Sequence, residues 1–246
     1  MNKLFLPLFI FLIINKIHSQ TDFKIAFGSC NKPKLENILW DDILDFDPNV
    51  WIWGGDIIYA DTDNMAAMKN EYDLQTQQKG YKEIIAKIPV LATWDDHDYG
   101  KNDAGSEYKM KKESQQLFLD FLKVPTTSPL RKQEGIYHSK LFKNTKGSVN
   151  IIILDTRYHR TTLTRNTNGK GYMPNQYNEG TILGEKQWTW LTKELNNSKA
   201  DYNIIVSNIQ VLSSQHRFEK WANFPHELIK LLQLCLLYTS PSPRDA

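Results

Sequence analysis

The strongest constraint on the fold comes from three short apolar runs that each end in a loop of ligand-type side chains. The runs cover residues 23–27, 49–53 and 89–93, and the loops that follow them read GSCN, GGDIIYAD and TWDDHDYG. Apolar runs of this length, bounded by glycine and aspartate, predict β-strands. Because open α/β sheets place ligand sites at the carboxyl ends of their strands, we expect the three loops to meet at one sheet edge.

The segments between these strands predict one α/β domain. Apolar residues recur at helical spacing over residues 35–46, 106–123 and 184–195, and residues 64–87 also favour helix. Further strands are predicted at 136–142, 149–154 and 202–207, and a last helix opens over 225–234. Residues 160–181 are polar and rich in Gly and Asn, which predicts a long loop. A chain of 246 residues that is 41% hydrophobic can build such a core.

The N-terminal segment has the pattern of an export signal. Lys3 supplies a positive start, residues 4–14 are apolar, and Ser19 offers a small residue for cleavage. The alternative is a membrane anchor, but the apolar run is too short to span a bilayer comfortably. We therefore expect residues 1–19 to be a signal peptide, with the cleavage position open. The mature protein is expected to be periplasmic or extracellular, without stable membrane insertion.

The C-terminal segment resembles translated sequencing adapter. Residues 235–245 read CLLYTSPSPRD, the peptide that a common transposon-type adapter encodes. The alternative is a Ser/Pro-rich disordered tail. We expect residues 20–234 to be the native domain and residues 235–246 to be non-native. Cys235 is then not a native disulfide partner, which leaves Cys30 as the one native cysteine.

The second loop carries a possible bridging carboxylate. Gly54 and Gly55 let the backbone turn sharply, and Asp56 at a strand end can bridge two cations. Tyr59 lies three residues further on, and its phenol suits a hard ferric ion better than most divalent metals. The structural alternative is that Asp56 caps a helix and Tyr59 packs in the core.

The third loop is denser in charge. Asp95, Asp96 and Asp98 flank His97 without a basic residue among them, and such a cluster repels itself unless a cation binds. The alternative is a solvated acidic turn, which explains neither the apolar run before the loop nor the adjacent Trp94.

Cys30 alone is weak evidence for a site. A lone cysteine is often a small buried hydrophobe, whereas an exposed thiol outside the cytoplasm is prone to oxidation unless a metal protects it. Cys30 could also act as a nucleophile with His97 as its base. The surrounding carboxylates would raise the thiol pKa, which makes that alternative less favourable.

At these loops the sequence resembles the alkaline phosphatase D (PhoD-like) family of metallophosphatases, over about residues 23–234. The motifs that carry the resemblance are FGSCNK, GGDIIYAD, ATWDDHDYGKND, ILDTRYHR and FPHE. Their joint order and spacing is specific, whereas GDxxY alone is also similar to the purple acid phosphatase pattern. The resemblance implies the calcineurin-like metallophosphoesterase fold, a four-layer α/β/β/α sandwich.

The resemblance also implies a ligand set. It implies a ferric ion, Fe(3+), paired with calcium, Ca(2+), or another divalent metal. Cys30 and Tyr59 would bind the iron, Asp56 would bridge, and Asp96 would bind the second metal. His97 would face the substrate, where it stabilises charge or protonates the leaving oxygen.

Two further expectations follow from the resemblance. Arg157, in the ILDTRYHR motif, is a candidate phosphate clamp, with a structural ion pair as the alternative. The family continues into a strand with a Ser-Gly-Asp-x-His type motif, so the sandwich is expected to be incomplete at its C-terminus. The remaining histidines are expected to be ordinary surface residues: His138, His159, His216 and His226.

These observations predict metal-dependent hydrolysis of phosphate esters, in which a metal-bound hydroxide attacks phosphorus in line with the leaving alcohol. The substrate is a small-molecule or polymeric ester, and residues 160–181 are expected to set monoester against diester preference. The alternatives are an exported phosphodiesterase acting on nucleotides or teichoic-type polymers, and a non-catalytic metal-binding module. The net charge of +2 is too small to suggest nucleic acid as a partner. A fragment that ends near residue 234 is expected to be poorly soluble or unfolded, and inactive.

Overall fold

A computed structural model describes residues 22–238. The predicted signal peptide, residues 1–19, lies outside this range, as do residues 239–246 of the adapter-like segment. Within the range, no helix is long and apolar enough to cross a bilayer.

The strands are β1 Ile25–Gly28, β2 Val50–Gly54, β3 Val90–Thr93, β4 His138–Asn144, β5 Gly147–Ile153, β6 Thr164–Arg165, β7 Tyr172–Met173 and β8 Tyr202–Val206. The α-helices are α1 Leu39–Phe46, α2 Met65–Gln77, α3 Lys79–Lys87, α4 Asp96–Tyr99, α5 Lys111–Phe121, α6 Gly184–Asn197 and α7 Pro225–Leu237.

The strands form two main sheets. β1, β2 and β3 pair in parallel in that order, and β5 pairs antiparallel with β4 and parallel with β8. Both faces of β2 are covered, which explains why its sequence VWIW is continuously apolar rather than alternating. β6 and β7 make a separate short hairpin.

Alternate residues of these strands define four layers. Val50 and Ile52 of β2 pack with Ile151 and Ile153 of β5 between the two sheets. On the outer face of the first sheet, Trp51, Trp53 and Ala92 pack under side chains of α1, α2, α3 and α5. The outer face of the second sheet packs under α6 and α7 through Ile152 and Leu154. The predicted four-layer α/β/β/α architecture is confirmed.

Most predicted elements are present. The short helix α4, inside the third loop, is not predicted from the sequence, and three further segments differ from the prediction. The helix predicted over residues 35–46 begins at Leu39, because the Gln78 side chain binds the carbonyls of Pro33 and Leu35 and holds that stretch out of a helix. The helix predicted from residue 106 begins at Lys111. Residues 160–181 were predicted as a loop, but they contain the β6–β7 hairpin.

Candidate metal centre

The first two loops are joined by backbone hydrogen bonds at the ends of β1 and β2. The Asn31 amide donates to the Asp56 carbonyl at 2.8 Å, and the Cys30 amide donates to the Gly55 carbonyl at 3.4 Å. Cys30 and Asp56 both have positive φ angles, 57° and 52°, which is uncommon outside glycine and recurs at functional sites. The two turns therefore present the Cys30 and Asp56 side chains to the same space.

Gly55 allows the third loop to approach. Its φ is 103°, and a Cβ there would lie 2.6 Å from Asp95 Cβ and 2.7 Å from the Asp95 amide nitrogen. Only glycine satisfies both the backbone angle and this close contact. Gly54 and Gly55 thus have two roles. They allow the sharp turn that the sequence predicts, and Gly55 is the point where the second and third loops pack together.

The acidic residues of the third loop have different roles. Asp98 is fully buried and ties loops together, because Oδ1 accepts from the Asp95 amide at 2.6 Å and Oδ2 accepts from the Ile57 amide at 3.0 Å. Asp95 accepts from the Arg157 guanidinium and from Asn208 Nδ2. Asp96 and His97 remain to face the neighbouring loops. The sequence offers four candidate ligands in this loop. In the structure Asp95 and Asp98 have structural partners, whereas Asp96 and His97 belong to the site.

Five predicted site residues come together. Ligand atoms of Asp56, Asp96 and His97 lie within 4.8 Å of one another, a spacing that a metal ion could join. Cys30 Sγ lies 3.8 Å from Asp56 Oδ2. The Tyr59 ring stacks on the His97 ring with centroids 4.3 Å apart. The residues that sequence analysis selected from three loops thus form one cluster, and their roles as ligands stay predictions.

The electrostatics of the cluster suit a cation. Burial, with Asp95 and Asp96 nearby, raises the pKa of Asp56 to about 6, although His97 opposes the shift. Burial and the Asp56 charge raise the pKa of the Tyr59 phenol far above its usual value. Asp56 Oδ1 is buried and accepts no hydrogen bond from any residue in 22–238. An orphaned carboxylate oxygen among like charges fits a metal bridge, and a metal would also displace the phenol proton.

Asp61 was not assigned a role from the sequence. Its Oδ2 lies 2.6 Å from His97 Nδ1. Burial alone would lower the pKa of His97, but Asp96, the hydrogen bond with Asp61 and the charge of Asp56 together raise it. The pair fixes the ring orientation and directs Nε2 away from Asp61. Asp61 is the last aspartate of the GGDIIYAD loop, so the sequence offers it as a candidate. Its contact with His97, which comes from another loop, follows only from the fold.

Arg157 does not face open solvent. It is completely buried, and its guanidinium donates to Asp95, Glu219 and the Ala104 carbonyl. These contacts favour the structural ion pair over the direct phosphate clamp. Glu219 was not expected near the site. One of its oxygens lies within 4.8 Å of carboxylate oxygens of Asp96 and Asp103. These three carboxylates form a second acidic group, and Asp96 belongs both to this group and to the group with Asp56 and His97.

The FPHE motif has a structural explanation. Glu227 is buried and accepts from the amides of Ile182 and Leu183, the Thr181 hydroxyl and Trp188 Nε1. It therefore fastens α7 to the start of α6, away from the metal-type residues. The other described histidines, His138, His159, His216 and His226, are absent from both acidic groups. All four are partly buried rather than exposed at the surface, and their ordinary roles stay a prediction.

Residues 25–227 match the profile of the PhoD-like phosphatases. The chain belongs to the PhoD-like phosphatase family. A solved structure described as "Structure of PhoD" superposes with a TM-score of 0.71 at 18% sequence identity, over 88% of this chain and 49% of that one. At this identity the superposition shows a shared fold. The chain spans about half the length of that PhoD. No curated protein matches the chain in sequence.

Proposed function

We propose that the whole protein is a metal-dependent phosphoesterase that hydrolyses small-molecule or polymeric phosphate esters. The observation that carries the proposal is the meeting of Cys30, Asp56, Tyr59, Asp96 and His97 at the ends of three parallel strands. Membership of the PhoD-like phosphatase family supports the same reaction class. We also propose that the protein is exported, on the pattern of residues 1–19.

The donor set suits two different ions. A thiol, a phenol and a carboxylate from Cys30, Tyr59 and Asp56 suit a ferric ion, whereas oxygens of Asp56 and Asp96 suit calcium or another hard divalent cation. When bound, such a pair supplies a water of lowered pKa and neutralises charge on the phosphoryl oxygens. Asp56, with an unpartnered oxygen, is the residue that would hold both ions in place.

His97 assists the leaving group. Asp61 holds Nδ1, so Nε2 is the nitrogen that can give a proton to the leaving oxygen. The neighbouring carboxylates raise the pKa of His97 and so favour the protonated, acidic form. The Tyr59 ring, stacked against the imidazole, restricts its rotation.

The experiment is hydrolysis of p-nitrophenyl phosphate and its bis ester by protein from the intact gene, loaded with iron and calcium. We expect turnover of at least one ester. Asp96→Asn and His97→Ala should each lower kcat by about 100-fold or more while the circular dichroism spectrum is unchanged. A metal-binding module without catalysis predicts no turnover in any of the three proteins. Absence of hydrolysis by the metal-loaded wild type sinks the proposal.

A further inference from the structure

Two arginines beside the metal centre have their charge neutralised inside the fold. Arg157 is completely buried and bonded to Asp95 and Glu219. Arg160 is 1% exposed, donates to backbone carbonyls of Thr161 and Asp103, and lies beside Glu219. A guanidinium fixed in this way stabilises the loops around the site, but its donors do not point to a space that a substrate can enter.

Two exposed cations near the site are also engaged. The Lys101 ammonium forms an ion pair with Asp63. Arg165, on β6, packs over the ring of Tyr172 with its guanidinium carbon 5.0 Å from the centroid. Tyr172, whose hydroxyl donates to Asp103, is not one of the five site residues, so the ring that Arg165 contacts does not belong to the cluster.

Lys32 differs from these four cations. It is exposed, and its Nζ lies 5.2 Å from the centroid of the Tyr59 ring. The same ring packs against His97 with centroids 4.3 Å apart, so Lys32 and His97 contact one aromatic side chain of the cluster. Across residues 22–238 the Lys32 ammonium makes no hydrogen bond and no ion pair. Its charge is therefore available at the edge of the metal centre.

The backbone that carries Lys32 is fixed, and its ammonium lies over the Tyr59 ring without a hydrogen bond or an ion pair among residues 22–238. Asn31, the preceding residue, is buried and donates from Nδ2 to Gln75 Oε1 at 2.6 Å and to the Ile57 carbonyl at 3.3 Å. The Asn31 amide also donates to the Asp56 carbonyl. The four-carbon stem of Lys32 therefore swings from an anchored point two residues after Cys30.

We propose that Lys32 contacts the phosphoryl oxygens of the substrate and makes the site prefer phosphomonoesters over phosphodiesters. The inference rests on the proposed phosphoesterase function. A phosphomonoester carries close to two negative charges above pH 7, whereas a diester carries one, so a cation at the phosphoryl group attracts the monoester more strongly. Lys32 is thus a specificity-determining residue, because among residues 22–238 the neighbouring cations Lys101, Arg157 and Arg160 are held in ion pairs or by backbone carbonyls.

The test compares Lys32→Met, Lys32→Arg and Lys34→Met in protein from the intact gene, loaded with iron and calcium. Lys34 is the matched control, because it is an exposed lysine of the same loop whose ammonium pairs with Glu71 at 2.6 Å. For each protein one measures kcat/KM on p-nitrophenyl phosphate and on its bis ester, the affinity for inorganic phosphate by calorimetry, and the bound metal by elemental analysis.

Lys32→Met should lower kcat/KM for the monoester by about tenfold and for the diester by about threefold or less. Phosphate affinity should fall along with the monoester value, metal content should not change, and Lys32→Arg should recover most of the loss. Lys34→Met should behave as wild type.

Equal losses on the two esters, or unchanged phosphate affinity, overturn the proposal. Loss of metal from Lys32→Met also overturns it, because Lys32 would then act through Tyr59 rather than on the substrate. A wild type that hydrolyses neither ester refutes the proposed function instead. In that case weaker phosphate binding by Lys32→Met still supports the contact between Lys32 and the phosphoryl group. Unchanged phosphate binding refutes that contact.

Discussion

At the scale of single residues, Asp56 illustrates how a functional group costs stability. Its pKa is raised from 3.8 to about 6 in the folded, metal-free protein, so the folded state binds a proton more tightly than the unfolded state. The free energy of unfolding therefore falls as pH rises from about 4 to about 6, by up to about 3 kcal/mol, and stays lower above that range. The buried carboxylates Asp95 and Asp98, whose pKa values are also raised, act in the same direction.

Asp56→Asn should remove this cost. We expect the metal-free variant to be more stable than wild type at pH 8, by about 2 kcal/mol, and equally stable at pH 4. Urea unfolding in the presence of a chelator, at both pH values, measures the difference. A variant that is less stable than wild type at pH 8 would show that Asp56 has a structural partner.

Asp61→Asn tests the role of the carboxylate beside His97. Removing its charge lowers the pKa of His97, because Asp61 is one of the groups that raise it. If His97 donates a proton, the alkaline limb of the kcat profile should move to lower pH, and kcat should fall by about tenfold or more. The measurement is the pH profile of p-nitrophenyl phosphate hydrolysis. A profile with the limb in its wild-type position contradicts the assignment.

The residues of the site could be selected from the sequence because ligand-type side chains concentrate where apolar runs end. Which of these residues are structural and which face the site could not be predicted from the sequence. Asp98 and Asp96 stand two residues apart in one acidic run, and each accepts two backbone amides. Only Asp96 also lies among the ligand atoms of Asp56 and His97, whereas Asp98 is fully buried away from that group. That distinction depends on which side of a four-residue helix each points to, and on the amide of Ile57 from another loop.

At the scale of elements, the close packing of the second and third loops depends on Gly55. Gly55→Ala would place a methyl group 2.6 Å from Asp95 Cβ at a φ of 103°. We expect a loss of about 2 kcal/mol or more in the free energy of unfolding. Gly169→Ala is the control, since a Cβ there meets only Asn166 Nδ2 at 3.9 Å. Equal denaturant midpoints for the two variants would contradict this account.

Glu227 is the corresponding anchor for α7. Glu227→Ala leaves four donors, three of them in buried hydrogen bonds, without their acceptor, so we expect a loss of about 3 kcal/mol or more in the free energy of unfolding. Glu179→Ala, at an exposed glutamate, should leave thermal stability unchanged. The prediction fails if differential scanning calorimetry gives both variants the wild-type Tm.

The sequence predicts element boundaries well where neighbouring residues determine them. It predicts them poorly where side chains from other elements determine them. The β4–β5 hairpin was expected because Asn144 to Gly147 is a tight turn between apolar runs, and the strands meet there. The start of α1 was placed four residues too early, because the Gln78 side chain that holds Pro33 and Leu35 out of the helix lies on another element.

At the scale of the whole molecule, the β1 edge of the first sheet is open among the described residues. β1 pairs only with β2 there, and a groove of about 780 Å³ runs between β1 and α1. Large apolar side chains line it while more than half exposed, namely Phe27, Leu35, Ile38 and Leu39. Unpaired strand edges beside exposed apolar surface promote association.

We therefore expect residues 22–238 alone to aggregate. Phe27→Lys should reduce this, because it places a charge on the open edge without removing a buried side chain. Light scattering during refolding compares it with Leu212→Lys, which places the same charge at an apolar side chain that is 79% exposed and does not line the groove. Protein 22–238 that stays monomeric at micromolar concentration would contradict the expectation.

The central claim is that the three strand-end loops build one centre for two metals, with Asp56 between them. Its most direct test is the metal content of wild type, Asp56→Asn and Asp96→Asn, purified from the intact gene and measured by elemental analysis. The account predicts two ions per wild-type chain, one of them iron. It predicts loss of both ions in Asp56→Asn and loss of the divalent ion alone in Asp96→Asn. Two ions retained in Asp56→Asn, or fewer than two in the wild type under metal-replete conditions, would contradict it.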